Sequence, residues 1–140
     1  MNVLFLCTGN SARSIMAEAI LNEIGRSRFH GFSAGSHPKR VVHPGAISLL
    51  KRKGYNVESL RSKSWNEFSM PGGPSFEYVI TVYKKMPNEL YPTFRGPALK
   101  MHWDISDPPE AMDVPAAFEK AYAKLLANVG TLVFGSRSQL

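Results

Sequence analysis

The chain has 140 residues, a formal net charge of +6 and a single cysteine. This length predicts one domain over residues 1–140, large enough to bury a core without disulfides or metal ions. One cysteine excludes an intramolecular disulfide, and the N-terminal apolar run is too short for a signal peptide or a membrane span. We therefore expect a cytoplasmic protein, a monomer or weak dimer, with no membrane partner.

The excess of positive charge predicts an anionic partner. The basic residues are dispersed along the chain, in short groups at residues 39–40, 51–53 and 84–85. Nucleic-acid modules combine basic tracts or patches with interleaved aromatic residues, and the sequence shows no such motif. We therefore expect no nucleic-acid partner, and a basic surface around a site for a small anion.

The first half of the chain predicts strands and helices in alternation. Residues 2–6 and residues 29–33 have the composition of buried strands. Between them, apolar residues recur at helical spacing over residues 14–25, which predicts an amphipathic helix. A second helix is predicted over residues 44–54, because proline suits its first turn and glycine its end.

The second half continues this alternation. It predicts a short helix at residues 65–68, strands at 78–82 and 98–103, and a helix over 115–129. The pattern leaves residues 131–140 open between a strand and an unstructured tail. The side of the final helix expected to face inward carries Ala117, Phe118, Ala121, Leu125 and Leu126. The order of elements predicts an α/β fold, a three-layer αβα arrangement with a four-stranded parallel sheet.

A thiol stands where the first strand turns into the first helix. A helix N-terminus presents unpaired backbone N–H groups and partial positive charge, which favour a bound anion and a thiolate. Arg13 adds a planar fork of donors suited to a tetrahedral oxyanion. Cys7 alone would equally fit a small buried side chain. Together with Gly, Asn, Ser and Arg at this spacing, it is interpreted as a nucleophile facing an anion cradle.

The cradle itself is predicted from the residues between strand and helix. Gly9 permits close backbone approach, and Asn10 tolerates a left-handed conformation. The Ser14 hydroxyl either donates to the thiolate, caps the helix, or does both. The predicted substrate-binding residues are Thr8, Gly9, Asn10, Ser11, Ala12, Arg13 and Ser14, and the candidate anions are phosphate, arsenate and sulfate.

Attack on such an anion requires an acid that protonates the departing oxygen. Asp107 lies in a loop at the carboxyl edge of the predicted sheet and is the preferred candidate. Asp104 is the competitor because it is nearer to the strand end. An aspartate before proline is also a common turn former, so Asp107 has a purely structural interpretation as well.

The remaining polar and aromatic residues give weaker signals. The four histidines, His30, His37, His43 and His102, are not at metal-ligand spacing, so we expect no metal site. His102 either orients the loop from Asp104 to Asp107 or is a partly buried strand-end residue. Trp65 and Trp103 either rim a cleft or, more commonly for such residues, pack in the core.

The chain resembles the low-molecular-weight protein tyrosine phosphatase superfamily, and in finer detail the arsenate reductases built on that fold. The matching segments are Leu4-Phe5-Leu6-Cys7-Thr8-Gly9-Asn10-Ser11, Arg13-Ser14, Met16-Ala17-Glu18, Ser33-Ala34-Gly35, Val79-Ile80-Thr81-Val82, and His102-Trp103 leading to Asp107-Pro108. The resemblance implies that Cys7 attacks arsenate held by the loop and by Arg13. It also implies that Ser14 tunes the thiolate and that Asp107 protonates the departing oxygen.

One departure from this resemblance bears on the second half of the reaction. Thioredoxin-coupled relatives relay a disulfide through further cysteines, and those positions are Ala12, Tyr83 and Tyr91 here. A single thiol cannot form a disulfide within its own chain. The single-cysteine reductases that the chain resembles use glutathione or mycothiol with a glutaredoxin-like or mycoredoxin-like partner, and no tightly bound cofactor. The basic residues considered for attracting an anionic thiol are Lys39, Arg40, Lys84 and Lys85.

Two other functions remain open at this point. A phosphatase acting on phosphotyrosine or small phosphate esters requires only one cysteine, one arginine and one aspartate. Tyrosine phosphatases of this fold usually have aromatic residues directly after Asp-Pro, whereas this chain has Pro109-Glu110-Ala111. The third is a non-enzymatic oxyanion-binding domain, which would need neither the nucleophile nor the acid.

Overall fold

The first strand of the chain lies inside a four-stranded parallel sheet. The computed structural model describes residues 1–82, 92–108 and 113–138. Its elements, in chain order, are β1 (Asn2–Cys7), α1 (Arg13–Ile24), β2 (His30–Gly35), α2 (Pro44–Arg52), α3 (Asn66–Ser69), β3 (Tyr78–Thr81), β4 (Leu99–His102) and α4 (Val114–Ser138). The strand order is β2-β1-β3-β4, with every pair parallel. The expected four-stranded parallel sheet is therefore confirmed.

Side chains of β1 alternate between two hydrophobic cores, as the twofold repeat of a strand requires. Phe5 and Cys7 belong to the larger core, to which α1, α2 and α4 contribute. Leu4 and Leu6 belong to a smaller core on the other face, against which Phe68 of α3 packs. Burial on both faces explains why this strand is one continuous apolar run. Cys7 is the last residue of β1 and therefore lies at the carboxyl edge of the sheet, where parallel sheets bind ligands.

β2 extends further than the sequence predicts. The expected strand covers residues 29–33, but the observed strand ends at Gly35, which pairs with Cys7 in parallel register. A Cβ at Gly35 would lie only 2.5 Å from the Thr8 carbonyl oxygen and 2.9 Å from that of Cys7. Glycine is therefore required where β2 passes the loop after β1.

The final helix is longer than predicted and faces the core with a different set of residues. α4 continues to Ser138, so residues 131–138 are helical and not the strand or tail that the sequence leaves open. Val133 is buried at helical spacing from Val129, which extends the apolar side. The expected inward position of Leu126 is wrong, because this residue is 37% exposed. Over residues 114–135, where burial is described, the buried residues of α4 are Phe118, Ala121, Tyr122, Leu125, Val129 and Val133.

The start of α2 confirms the expectation from His43-Pro44. Pro44 occupies the first turn, and the Nδ1 atom of His43 accepts a hydrogen bond from the Gly45 amide at 2.9 Å. Among the helices of the described ranges, none is both long and apolar enough to cross a bilayer.

Candidate functional site

The loop between β1 and α1 forms the floor of a pocket of about 450 Å³. Cys7 is the last residue of β1, and α1 begins six residues later, at Arg13. The pocket is lined by Cys7, Thr8, Gly9, Ser11, Ala12, Arg13, His37, Lys39 and Asp107. Most of the predicted substrate-binding loop therefore lines one pocket together with the predicted nucleophile and the preferred acid. Asn10 and Ser14 are fully buried behind it.

Two hydrogen bonds reach the sulfur of Cys7. The backbone nitrogen of Asn10 lies 3.2 Å from Sγ, and the hydroxyl oxygen of Ser14 lies 2.9 Å from Sγ. Asn10 has a φ of 46°, as the sequence predicts, and this left-handed turn directs its N–H back at the sulfur. Donors directed at a sulfur favour its anionic, nucleophilic form.

The side chain of Asn10 donates a hydrogen bond to Ser14, the residue that contacts Cys7. Asn10 Oδ1 accepts from the Lys63 backbone amide at 2.8 Å, so its Nδ2 is the group that faces Ser14 Oγ at 2.7 Å. Because an amide nitrogen only donates, Ser14 Oγ accepts there and keeps its own hydrogen available for Cys7 Sγ. Ser14 is not the helix cap, since the cap position is Ala12, which offers no side-chain hydrogen bond. Because Ala12 supplies no side-chain cap, the backbone amides in the first turn of α1 are available to bind an anion.

Arg13 links the cradle to the loop that carries the candidate acid. Its Nη1 donates to the Ile105 carbonyl at 3.1 Å, and its Nη2 lies 3.7 Å from Asp107 Oδ2. The arginine side chain is 11% exposed and that of Asp107 26% exposed, so both face the pocket from partly shielded positions. This contact holds the Asp107 side chain at the pocket wall.

The competing candidate for the acid, His102 and the two tryptophans do not line the pocket. Asp104 is exposed, and its backbone carbonyl accepts a hydrogen bond from Lys124. His102 Nδ1 lies 2.7 Å from the Thr81 hydroxyl, so the imidazole binds the neighbouring strand. Trp103 and Trp65 pack against the two cores, and neither contributes to the pocket wall. For both tryptophans the core interpretation is the correct one.

His37 and Lys39 form a rim that the sequence predicts only in part. The His37 amide donates to the Thr8 carbonyl at 2.9 Å, and the Lys39 amide donates to the Gly9 carbonyl at 3.0 Å. The sequence suggests Lys39 as a site of thiol attraction, but it gives His37 no role, since no metal site is expected. The available signal is the end of β2 beside β1, which places the following residues at the same sheet edge. Arg40 does not line the pocket.

Several residues singled out in the sequence lie outside the described part of the chain. They are Tyr83, Lys84, Lys85, Tyr91 and the segment Pro109-Glu110-Ala111. Within the described parts of the chain, no cluster of three or more His, Cys, Asp or Glu side chains is arranged to hold a metal ion.

A buried ion pair lies behind the cradle. Lys63 Nζ donates to the Ser33 carbonyl at 2.9 Å and lies 3.9 Å from Glu18 Oε1, while the Ser33 hydroxyl donates to the same carboxylate oxygen at 2.5 Å. Burial raises the pKa of Glu18 and lowers the pKa of Lys63, so for each group burial outweighs their mutual attraction. The backbone of Lys63 also supports Asn10, which connects this pair to Cys7.

Replacement of Lys63 by methionine is expected to lower the free energy of unfolding by about 3 kcal/mol, because the Glu18 carboxylate stays buried without its partner. The deficit, measured by urea denaturation, should shrink as pH falls. Protonation of Glu18, whose pKa in the folded state lies above its usual value, removes the buried charge.

Arg61 provides the matched control for this measurement. It forms an exposed pair with Glu67 at 2.6 Å, so Arg61→Met should cost less than about 1 kcal/mol. Equal losses for the two variants would show that burial does not set the contribution of Lys63.

Comparison with known proteins agrees with this architecture. The family model for low molecular weight phosphotyrosine protein phosphatase matches residues 2–137. A glutaredoxin arsenate reductase of Synechocystis sp. is 28% identical over 106 residues, which cover 76% of this chain and 77% of that protein.

Two solved structures are also similar. An arsenate reductase from Archaeoglobus fulgidus has a TM-score of 0.77 at 25% identity, covering 94% of this chain and 98% of its own. A low molecular weight protein tyrosine phosphatase from T. tengcongensis has a TM-score of 0.73 at 26% identity, with coverages of 95% and 97%. The match over residues 2–137 shows that the chain belongs to the low molecular weight phosphotyrosine protein phosphatase family.

Proposed function

We propose that this chain is an arsenate reductase whose second half-reaction is supplied by an external thiol. The observation that carries the proposal is the position of the only cysteine of the chain, in one pocket with Arg13 and Asp107. The similarity to proteins named arsenate reductase supports the choice of arsenate as the anion. The absence of aromatic residues in Pro109-Glu110-Ala111 supports it further, since a phenyl ring would have little to stack on.

In the first step, the amides of the loop and the guanidinium of Arg13 hold arsenate above Cys7. The thiolate attacks arsenic, a bond from sulfur to arsenic forms, and one arsenic–oxygen bond breaks. The departing group is a hydroxyl of arsenate, which takes one proton from Asp107 and leaves as water. Ser14 and Asn10 both contact the sulfur that attacks, at 2.9 Å and 3.2 Å.

In the second step, an external thiolate attacks the Cys7 sulfur and forms a mixed disulfide with it. The sulfur–arsenic bond breaks with both electrons remaining on arsenic, which leaves as arsenite. A second thiol, carried by a glutaredoxin-like or mycoredoxin-like partner, then attacks the mixed disulfide and restores the Cys7 thiolate. The loop cysteine of thioredoxin-coupled relatives is Ala12 here, so Cys7 has no thiol in its own loop with which to form a disulfide.

The second candidate function is a phosphatase acting on phosphotyrosine or small phosphate esters. One cysteine, one arginine and one aspartate are sufficient for that reaction, and it needs no reductant. The similarity to the T. tengcongensis tyrosine phosphatase favours this candidate.

The two functions are separated by supplying arsenate with three reductants in separate assays. These are glutathione with glutaredoxin, mycothiol with mycoredoxin, and thioredoxin, with hydrolysis of p-nitrophenyl phosphate measured in parallel. The reductase proposal predicts arsenite in at least one of the first two assays. Rapid ester hydrolysis without arsenite under any thiol would favour the phosphatase.

Replacement of Asp107 by asparagine is expected to lower kcat about 10²-fold, because the departing oxygen loses its proton donor. Binding of phosphate, measured as competitive inhibition, should change much less, since the cradle and Arg13 are intact. The isosteric variant keeps an oxygen facing Arg13, which limits any rearrangement of the loop.

Asp104→Asn is the control for this variant, because Asp104 lies in the same loop but outside the pocket wall. Its kcat should remain within about twofold of the unchanged enzyme. A large loss for Asp104→Asn and none for Asp107→Asn would transfer the role of acid to Asp104.

A further inference from the structure

The pocket at Cys7 is larger than a tetrahedral oxyanion requires. Arsenate has five heavy atoms, and at roughly 30 Å³ for a water-sized group it fills on the order of 150 Å³. The pocket has about 450 Å³, within the range of about 300–1,000 Å³ that holds small organic molecules. The wall of the pocket includes the cradle, Asp107 and the rim formed by His37 and Lys39.

This rim is attached to the cradle through the backbone. The amides of His37 and Lys39 donate to the carbonyls of Thr8 and Gly9, at 2.9 Å and 3.0 Å. One loop therefore fixes the position of the other. These two bonds hold the backbone of the rim against the loop that follows Cys7, close to where a reactant at that sulfur would bind.

The Lys39 side chain lies along the face of Gly9. An ideal Cβ on that glycine would meet Lys39 Cε at 3.1 Å and Cγ at 3.3 Å. The aliphatic part of the lysine thus packs on the cradle, and Lys39 is one of the residues that line the pocket. Among the residues that the structure describes, no carboxylate lies within 4 Å of this ammonium.

We propose that Lys39, with His37 beside it, binds a carboxylate of the external thiol and thereby directs its sulfur to Cys7. This inference rests on the proposed function for its role in turnover. It specifies an anionic peptide thiol such as glutathione, because an ammonium group gives little advantage to an uncharged thiol. Arg13 and the loop amides bind the oxyanion, and Lys39 binds the second reactant.

The test compares an anionic thiol with an uncharged one. In Lys39→Gln, kcat/KM for glutathione should fall about tenfold, as expected for the loss of one charge-assisted hydrogen bond. In the same variant, kcat/KM for 2-mercaptoethanol and KM for arsenate should stay within about twofold of the values for the unchanged protein. Lys51→Gln, which alters an exposed lysine of α2 outside the pocket, should leave all three constants unchanged. Equal losses with both thiols, or no loss with either, would overturn the assignment.

A second readout does not need arsenate. Cys7 thiolate attacks glutathione disulfide, forms a mixed disulfide at Cys7 and releases one glutathione thiolate. Lys39→Gln should slow this exchange about tenfold with glutathione disulfide and leave it unchanged with the uncharged hydroxyethyl disulfide. If no thiol yields arsenite but Lys39→Gln slows only the exchange with glutathione disulfide, the binding role of Lys39 stands and the reductase proposal fails. If arsenite forms but Lys39→Gln changes the two exchange rates equally, the binding role of Lys39 fails and the reductase proposal stands.

Discussion

Replacement of Cys7 by serine is expected to lower turnover of arsenate and of phosphate esters by at least about 10⁵-fold, because the attacking atom is lost. The fold should be retained, since serine has nearly the size of cysteine and its oxygen can accept the hydrogen bond that Asn10 donates to Sγ. Ser14 can likewise donate to that oxygen. The measurement is kcat under saturating substrate, with the thermal midpoint as a check on folding.

Binding of phosphate provides the internal control for this variant. The anion is expected to contact the loop amides and Arg13, which the substitution does not alter, so its dissociation constant should change only a few-fold. The variant contains no thiol, because Cys7 is the only cysteine of the chain. Residual turnover above about one per cent would show that another group makes the attack.

The second large effect is expected for Arg13→Lys, which should lower kcat/KM about 10³-fold. A lysine keeps the positive charge but not the planar fork that binds two oxygens of an oxyanion at once. It also cannot reproduce both the hydrogen bond to the Ile105 carbonyl and the contact with Asp107. The variant therefore loses charge stabilisation in the transition state and the anchor of the acid loop.

Arg52→Lys is the matched control, because Arg52 is an exposed arginine of α2 that faces Glu119 at 3.7 Å. Its kinetic constants should equal those of the unchanged protein. If Arg13→Lys raised only KM and left kcat intact, Arg13 would bind the ground state and the transition state equally, contrary to the mechanism.

The central part of the fold could be predicted because local sequence and global architecture agree there. β1 is buried on both faces, so its residues had to be continuously apolar, and His43-Pro44 provides both a cap and a first turn. Cys7 at the strand end followed from the same pattern. The left-handed conformation of Asn10 followed from the chemistry of its side chain.

The remaining features depend on contacts between distant parts of the chain, which periodicity does not report. Val133 packs in the core beyond the predicted end of α4, and Leu126 is exposed because it lies beside the buried stripe. Lys63 enters the network of Cys7 through its backbone contact with Asn10, 53 residues away. His37 reaches the pocket through its backbone contact with Thr8. The order of the strands places the residues after β2 at the same sheet edge as Cys7, but no local signal specifies which of them make these contacts.

The most direct test of the proposed mechanism is a single turnover followed by intact-protein mass spectrometry. Protein at stoichiometric concentration is mixed with arsenate and glutathione, or with arsenate and mycothiol, without any redoxin partner. We expect one arsenite released per chain and a mass increase equal to one thiol, located at Cys7 and reversed by the matching redoxin. Unmodified protein and no arsenite with either thiol, while p-nitrophenyl phosphate is hydrolysed rapidly, would contradict the mechanism.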